Sequence, residues 1–222
     1  MIESLAGDFG CEVAGVIDPQ HAQGADGPES PRWNGVDVAI DFSTPDSVVK
    51  NVPVLAGRGI SVVIGTTGWQ NDEAAIRRAV ADTSVGIVSA ANFSTGVILF
   101  EALVARAAAL FSGHPEFGAW LNEVHHHTKK DAPSGTANTL EKAAARAWGR
   151  DIPITSVRTG SVPGTHEIVF DAPFEQIHLE HIARDRKVFA EGALVAAAWL
   201  IGRRGVFTMR DVVATPANHS SS

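Results

Sequence analysis

Long apolar runs are missing from this 222-residue chain, and no stretch approaches the roughly 20 apolar residues that a membrane-spanning helix needs. The first twenty residues, MIESLAGDFGCEVAGVIDPQ, lack a basic segment followed by an apolar one, so they do not read as a secretory leader. Cysteine is nearly absent too. The single Cys11 cannot close an intramolecular disulfide, no oxidising compartment is demanded, and a soluble, cytoplasmic protein with an inert thiol is expected. Basic residues are scarce: 18 Lys and Arg stand against 25 Asp and Glu, for a formal net charge of -7. Polyanions are held by dense Lys/Arg patches, so nucleic acid and anionic membranes are excluded as partners, and an anionic ligand must be gripped locally. There is no repeat and no low-complexity tract except the polar tail 217–222, which carries too little apolar surface to order itself. What remains is 45% hydrophobic residues, enough to build the core of one large or two small domains.

Short apolar runs at 12–17, 36–40, 61–64 and 86–88 alternate with segments of helical period at 46–58 and 71–82, which is the pattern of parallel βα units. Each run ends in a small polar corner: Asp18-Pro19, Asp41-Phe42-Ser43-Thr44-Pro45, Gly65-Thr66-Thr67-Gly68 and Ala91-Asn92-Phe93-Ser94. Open α/β sheets take ligands at the carboxyl ends of their strands, so these corners form the candidate cofactor edge. A long helix is expected over 95–112. Strands at 116–127, 157–158, 166–171 and 177–183 then suggest a mixed sheet, and 188–202 returns to helical period. The expected fold is thus α/β, with a Rossmann-type parallel sheet in 1–94, rejoined by about 195–222, and a second α+β domain in 95–194.

A dinucleotide-binding fold normally opens with a strand, a glycine-rich turn and a helix, followed by an acid for the ribose about 20 residues on. Here residues 1–6 resemble the end of that helix, 12–17 the second strand, and Asp18 stands where the ribose acid belongs. No GxGxxG or GxxGxxG precedes it. The parallel sheet therefore reads as N-terminally truncated, and cofactor affinity is expected to suffer most, because the glycine loop supplies the N–H groups that hold phosphate.

The densest chemistry lies in Glu123-Val-His125-His126-His127-Thr-Lys129-Lys130-Asp131-Ala-Pro133-Ser134-Gly135-Thr136-Ala137. It reads as a strand carrying imidazoles, a basic turn, and Pro-Ser-Gly-Thr opening a helix over 137–148. Ser134, Gly135 and Thr136 offer backbone N–H groups and hydroxyls at a helix amino end, an anion site that Lys129 reinforces. Strand alternation directs His125 and His127 to one face and His126 to the other. A metal between imidazoles is the competing reading, disfavoured because no carboxylate or Cys is apparent at ligand spacing, and no metal is expected. Asp131 can simply order the turn, and Arg184, His178 and His181 read as surface or interface residues.

The run Glu-x-His-x-x-x-Lys-x-Asp-x-Pro-Ser-Gly-Thr-Ala is similar to the signature of the dihydrodipicolinate reductases. Ile40–Ser43, Ile64–Gly68, Ala91–Ser94, Pro163-Gly164-Thr165-His166 and Phe189-Ala190-x-Gly192-Ala193 also resemble that family. The resemblance implies a nicotinamide-dependent reduction of a cyclic dicarboxylate in lysine and diaminopimelate biosynthesis, by a homotetramer built through the second domain's sheet. It implies His125 as general acid, Lys129 as its cationic partner, Gly135 and Thr136 as a carboxylate clamp, and His126 and Arg186 as further substrate contacts. On the cofactor side it implies Asp18 at the adenosine ribose, Gly65, Thr66 and Thr67 near the nicotinamide ribose, and Ala91, Asn92 and Phe93 beside the ring. Pro19 after Asp18 offers no guanidinium for a ribose phosphate, so NADH is favoured over NADPH. Two alternatives stay open: a catalytically silent module that keeps only dicarboxylate binding and oligomerisation, and another two-domain Rossmann-type dehydrogenase acting on an amino acid.

Overall fold

A computed structural model describes residues 1–18 and 27–215, so Pro19 and the tail 217–222 lie outside the described residues. The chain divides into two compact units, Met1–Phe93 with Phe189–Ser222, and Ser94–Val188.

In the first unit, α1 (Ile2–Leu5) is followed by β1 (Val38–Asp41), α2 (Pro45–Gly57), β2 (Ser61–Ile64), α3 (Glu73–Ala81) and β3 (Gly86–Ser89). The second unit holds α4 (Thr95–Phe111), β4 (Gly118–His125), α5 (Gly135–Trp148), β5 (Ile154–Arg158), β6 (Thr165–Ala172) and β7 (Glu175–Ile182). The chain then runs through α6 (Lys187–Leu200), β8 (Gly205–Phe207) and α7 (Met209–Ala214).

The first unit's sheet is parallel throughout, in the order β1-β2-β3-β8. All four residues of β2 are buried, as a central parallel strand covered on both faces requires. Val48, Val52 and Leu55 of α2, spaced four and three apart, pack with Ile76 and Val80 of α3 against Val62, Ile64 and Ile87. Thr44 caps α2, with Pro45 in its first turn, where a missing N–H costs nothing.

The expected strand at 12–17 does not form. Residues 12–17 lie exposed with no ladder partner among the described residues, and a strand is stable only as one member of a hydrogen-bonded pair, whatever its side-chain pattern. The sequence reading also missed α7, although Thr208 and Asp211 carry a capping box: Asp211 accepts from the Thr208 backbone at 2.7 Å.

The second unit's sheet is mixed, in the order β5-β4-β6-β7, with β4 parallel to β5 and antiparallel to β6. Its core joins Phe100, Val104 and Ala108 of α4 and Leu140, Ala144 and Trp148 of α5 to Leu121, Ile168 and Phe170 of the sheet. Ser94 caps α4 and Ser134 caps α5, which Gly149 ends in a left-handed conformation at φ 78°.

Candidate active site

Strand β4 delivers the first part of the site. Alternation puts Glu123 and His125 on the same face, and both are buried, at 1% and 7% exposure. Their side chains meet as an ion pair, with His125 Nδ1 at 2.5 Å from Glu123 Oε2. Antiparallel register brings His166 of β6 opposite Glu123, and parallel register brings Arg158 of β5 opposite His125. Arg158 Nη2 donates to Glu123 Oε1 at 2.7 Å and to the Asp131 carbonyl at 2.5 Å. The His166 ring stands edge-on to His125 with centroids 5.1 Å apart, and its Nε2 lies 3.1 Å from Ser134 Oγ.

Helix α5 begins where the strand's turn ends. Ser134 is committed internally: its hydroxyl accepts from Ala137 N at 3.1 Å, and its own N–H donates to Glu123 Oε1 at 3.3 Å. The expected free N–H at Ser134 is therefore engaged, as a second donor to the Glu123 oxygen that Arg158 already holds. Gly135 is exposed and Thr136 half-buried at the same helix end. Lys129 Nζ grips Asp131 through both oxygens, at 2.7 and 2.9 Å. Asp131 thus does more than order the turn.

The electrostatics follow from burial and pairing. Burial alone would raise the Glu123 carboxyl, but hydrogen bonding by Arg158 and Ser156 and the charges of His125 and Arg158 outweigh it and hold the group at about 2. Burial pushes the His125 imidazole below its ordinary value, opposed by Glu123 and assisted by the positive charges of Lys129 and Arg158. Burial drives His166 to about 4, with His125 adding to the effect. Two buried imidazoles on one buried carboxylate make a proton-handling cluster.

Several expected residues sit differently. β4 ends at His125, so alternation does not carry to His127, which is exposed and has its Nδ1 3.0 Å from the Gly160 carbonyl. His126 is half-buried, with Nδ1 2.6 Å from Thr128 Oγ1. His181 is no open surface residue: it lies half-buried on Phe100, with ring centroids 6.0 Å apart, and burial lowers it. His178 is exposed and bonded to Glu167 at 2.6 Å, while Arg184 and Arg186 are exposed ahead of α6. A carboxylate does stand near the imidazoles, contrary to the argument from spacing. Glu123, His125 and His166 each place one ligand atom within 4.8 Å of the others, but Arg158 and His125 already occupy the Glu123 oxygens, so the set is built as a charge network.

Glu123, Arg158 and His166 were given no role by the sequence reading. Counting back two residues from His125 would have found Glu123, since i and i−2 share a strand face. Arg158 and His166 arrive through strand register, which no local pattern shows.

In the first unit the corners at 41–45, 65–68 and 91–94 follow parallel strands as the sequence suggested, whereas Asp18-Pro19 follows none. Thr66 is buried and donates to Asp41 Oδ1 at 3.1 Å, and Asp41 also accepts from the Ser43 N–H and hydroxyl. Thr67 and Ala91 are exposed, Gly65 and Asn92 half-buried. Phe93 has its side chain buried at 2% exposure against Phe42, so that ring is packed within the unit. Asp18 follows the exposed stretch 12–17 and stands on no described strand.

The match to the family model for the dihydrodipicolinate reductase amino-terminal part covers residues 6–93, and the match to that for its carboxyl-terminal part covers residues 96–213. The chain belongs to the dihydrodipicolinate reductase family. A 4-hydroxy-tetrahydrodipicolinate reductase of Christiangramia forsetii is 38% identical over 190 residues, covering 80% of each chain. One from Rhodopseudomonas palustris is 40% identical over 201 residues, covering 81% of this chain and 73% of its own length. Among solved structures, a dipicolinate-bound dihydrodipicolinate reductase from Paenisporosarcina sp. TG-14 shares the fold with a TM-score of 0.67, 24% identity, and coverage of 78% of this chain and 71% of its own. Members of this reductase family are NAD(P)H-dependent oxidoreductases of lysine biosynthesis, and the two-unit α/β fold is the family's.

The residues present fit a nicotinamide group at the corners. A Cβ on Gly65 would lie 2.1 Å from the Phe42 ring, so only glycine lets that ring pack over the β2 corner, and the exposed Thr67 and Ala91 leave the strand ends lined by small residues that a flat cofactor ring and ribose can approach.

Proposed function

We propose that this chain reduces 4-hydroxy-tetrahydrodipicolinate, or dihydrodipicolinate, to tetrahydrodipicolinate in lysine and diaminopimelate biosynthesis. The observation that carries the reading is the buried His125, fixed at Nδ1 by Glu123, beside Lys129 and the amino end of α5.

When bound, NAD(P)H supplies a hydride to the unsaturated ring of the substrate. His125 then protonates the resulting enamine from Nε2, the nitrogen that Glu123 leaves free for the task. Gly164 keeps that nitrogen approachable, since a Cβ there would stand 3.0 Å from it. Lys129 exchanges Asp131 for a substrate carboxylate and holds the negative charge that develops during transfer. Gly135 and Thr136 clamp one carboxylate at the helix amino end, where backbone dipoles favour an anion. His126 and Arg186 contact the substrate's remaining polar groups.

Gly65, Thr66, Thr67, Ala91, Asn92 and the Phe93 backbone form the nicotinamide edge, with Asp18 at the adenosine ribose and NADH as the preferred reductant. The Ser94–Val188 unit binds substrate and assembles a homotetramer through its sheet, and the protein works in the cytoplasm. No described helix is long and apolar enough to cross a membrane.

The test is NADH oxidation by this chain, followed at the cofactor's ultraviolet band, with substrate made in situ by the upstream synthase. Substrate-dependent oxidation is expected. Binding of dicarboxylate without oxidation would instead identify a silent binding module.

A further inference from the structure

Within the reaction proposed above, we infer that Glu123 and Arg158 are positioning residues that fix the tautomer and the proton affinity of His125. The proton donor is only as good as the state in which its ring is held, and the geometry sets that state from two sides.

Glu123 Oε2 lies 2.5 Å from His125 Nδ1, and the two buried atoms form an ion pair. A carboxylate can only accept, so Nδ1 must carry a proton, and the proton to be delivered is the one on Nε2. Glu123 cannot swing away. Its other oxygen accepts from Arg158 Nη2 at 2.7 Å and from the Ser134 N–H at 3.3 Å, and the side chain is buried completely. Arg158 is anchored in turn by the carbonyls of Val157 and Asp131. One carboxylate therefore ties the proton donor to the start of the helix that receives the substrate carboxylate.

The charged and titratable groups facing His125 are Glu123 on its own strand, Arg158 on β5, His166 on β6 and Lys129 in the following turn, itself paired with Asp131. Glu123 alone favours the protonated ring; Lys129 and Arg158 oppose it. The two positioning residues thus push the His125 proton affinity in opposite directions, which a purely structural pair would not do.

Glu123→Gln separates these roles. Gln has one acceptor oxygen, and Arg158 with the Ser134 N–H claims it, so the amide NH2 turns to His125 Nδ1 and forces the neutral ring into the Nε2–H tautomer. Because the reaction needs the protonated ring, kcat/KM falls as pH rises through the His125 pKa. In Glu123→Gln that limb moves to lower pH, and kcat at neutral pH drops at least about 10-fold, a fraction of what a general acid contributes, with KM for NADH unchanged. In Arg158→Gln the limb moves to higher pH.

The experiment is the pH profile of kcat/KM for both variants, paired with nitrogen-15 NMR of the His125 ring. NMR is expected to show Nδ1–H in the wild type and Nε2–H in Glu123→Gln. A Glu123→Gln limb at the wild-type pH, limbs displaced the same way in both variants, or a wild-type ring protonated only on Nε2 would overturn the inference. If Glu123→Gln does not fold, Arg158→Gln and the wild-type tautomer decide it. If the wild type oxidises no NADH, that counts against the proposed reaction, and the tautomer still tests the positioning role.

Discussion

The two units bury different kinds of atoms at the places where they could meet a ligand. The first closes its strand ends mostly by shape: Gly65 packs under Phe42, Phe93 meets Phe42 edge-on, and a Cβ on Gly192 would sit 1.6 Å from the Phe93 carbonyl. The second buries ionisable groups, with Glu123, His125 and His166 inside, Glu123 paired with Arg158 and His166 beside the Ser134 hydroxyl. A shape-built edge suits a large flat cofactor that must be held and released. A charge network suits proton transfer, because each member sets the protonation state of the next.

That contrast predicts pH-dependent stability in one unit and pH-independent packing in the other. The largest effect belongs to His166. Its folded pKa of about 4 lies below the ordinary 6.5, so the unfolded chain takes the proton first. The contribution is fully present above about 6.5 and is lost as pH falls toward 4, amounting to about 3 kcal/mol. Urea midpoints at pH 7 and pH 4.5 are expected to diverge in the wild type and to diverge less in His166→Gln, where the buried His125 and half-buried His181 keep a smaller share of the effect. Equal divergence in both would remove His166 from the network. Next comes Gly192→Ala, where the added methyl must displace backbone; it is expected to cost about 2 kcal/mol, by the same amount at both pH values. A pH-dependent loss there would erase the distinction between the units. The smallest effect is Lys129→Met, expected to lower kcat/KM by about 10-fold, or about 1.4 kcal/mol, through both KM and kcat while leaving the urea midpoint in place. A wild-type KM for the dicarboxylate would move the anion pocket elsewhere.

The legible parts of the molecule were the ones with local causes. β2 was read at its true bounds because four apolar residues end in Gly65-Thr-Thr-Gly68, and α4 because Ser94 caps a continuous apolar face. His125 and Lys129 were legible through the run from Glu123 to Ala137. What stayed hidden depends on partners distant in sequence. Residues 12–17 have the composition of a strand, but pairing decides strands and no described strand pairs with them. Arg158 reaches Glu123 across 35 positions and His166 reaches Ser134 across 32, by strand register alone. His181 read as a surface or interface residue, and its contact with Phe100 of α4 lies in no local pattern.

The central claim is that His125 gives the proton in a nicotinamide-dependent reduction, and the most direct measurement compares wild type with His125→Ala in NADH oxidation with substrate generated in situ. A kcat lowered at least about 100-fold, with NADH affinity retained, is the predicted result. Turnover equal to wild type would contradict it and take the proton donor out of this cluster.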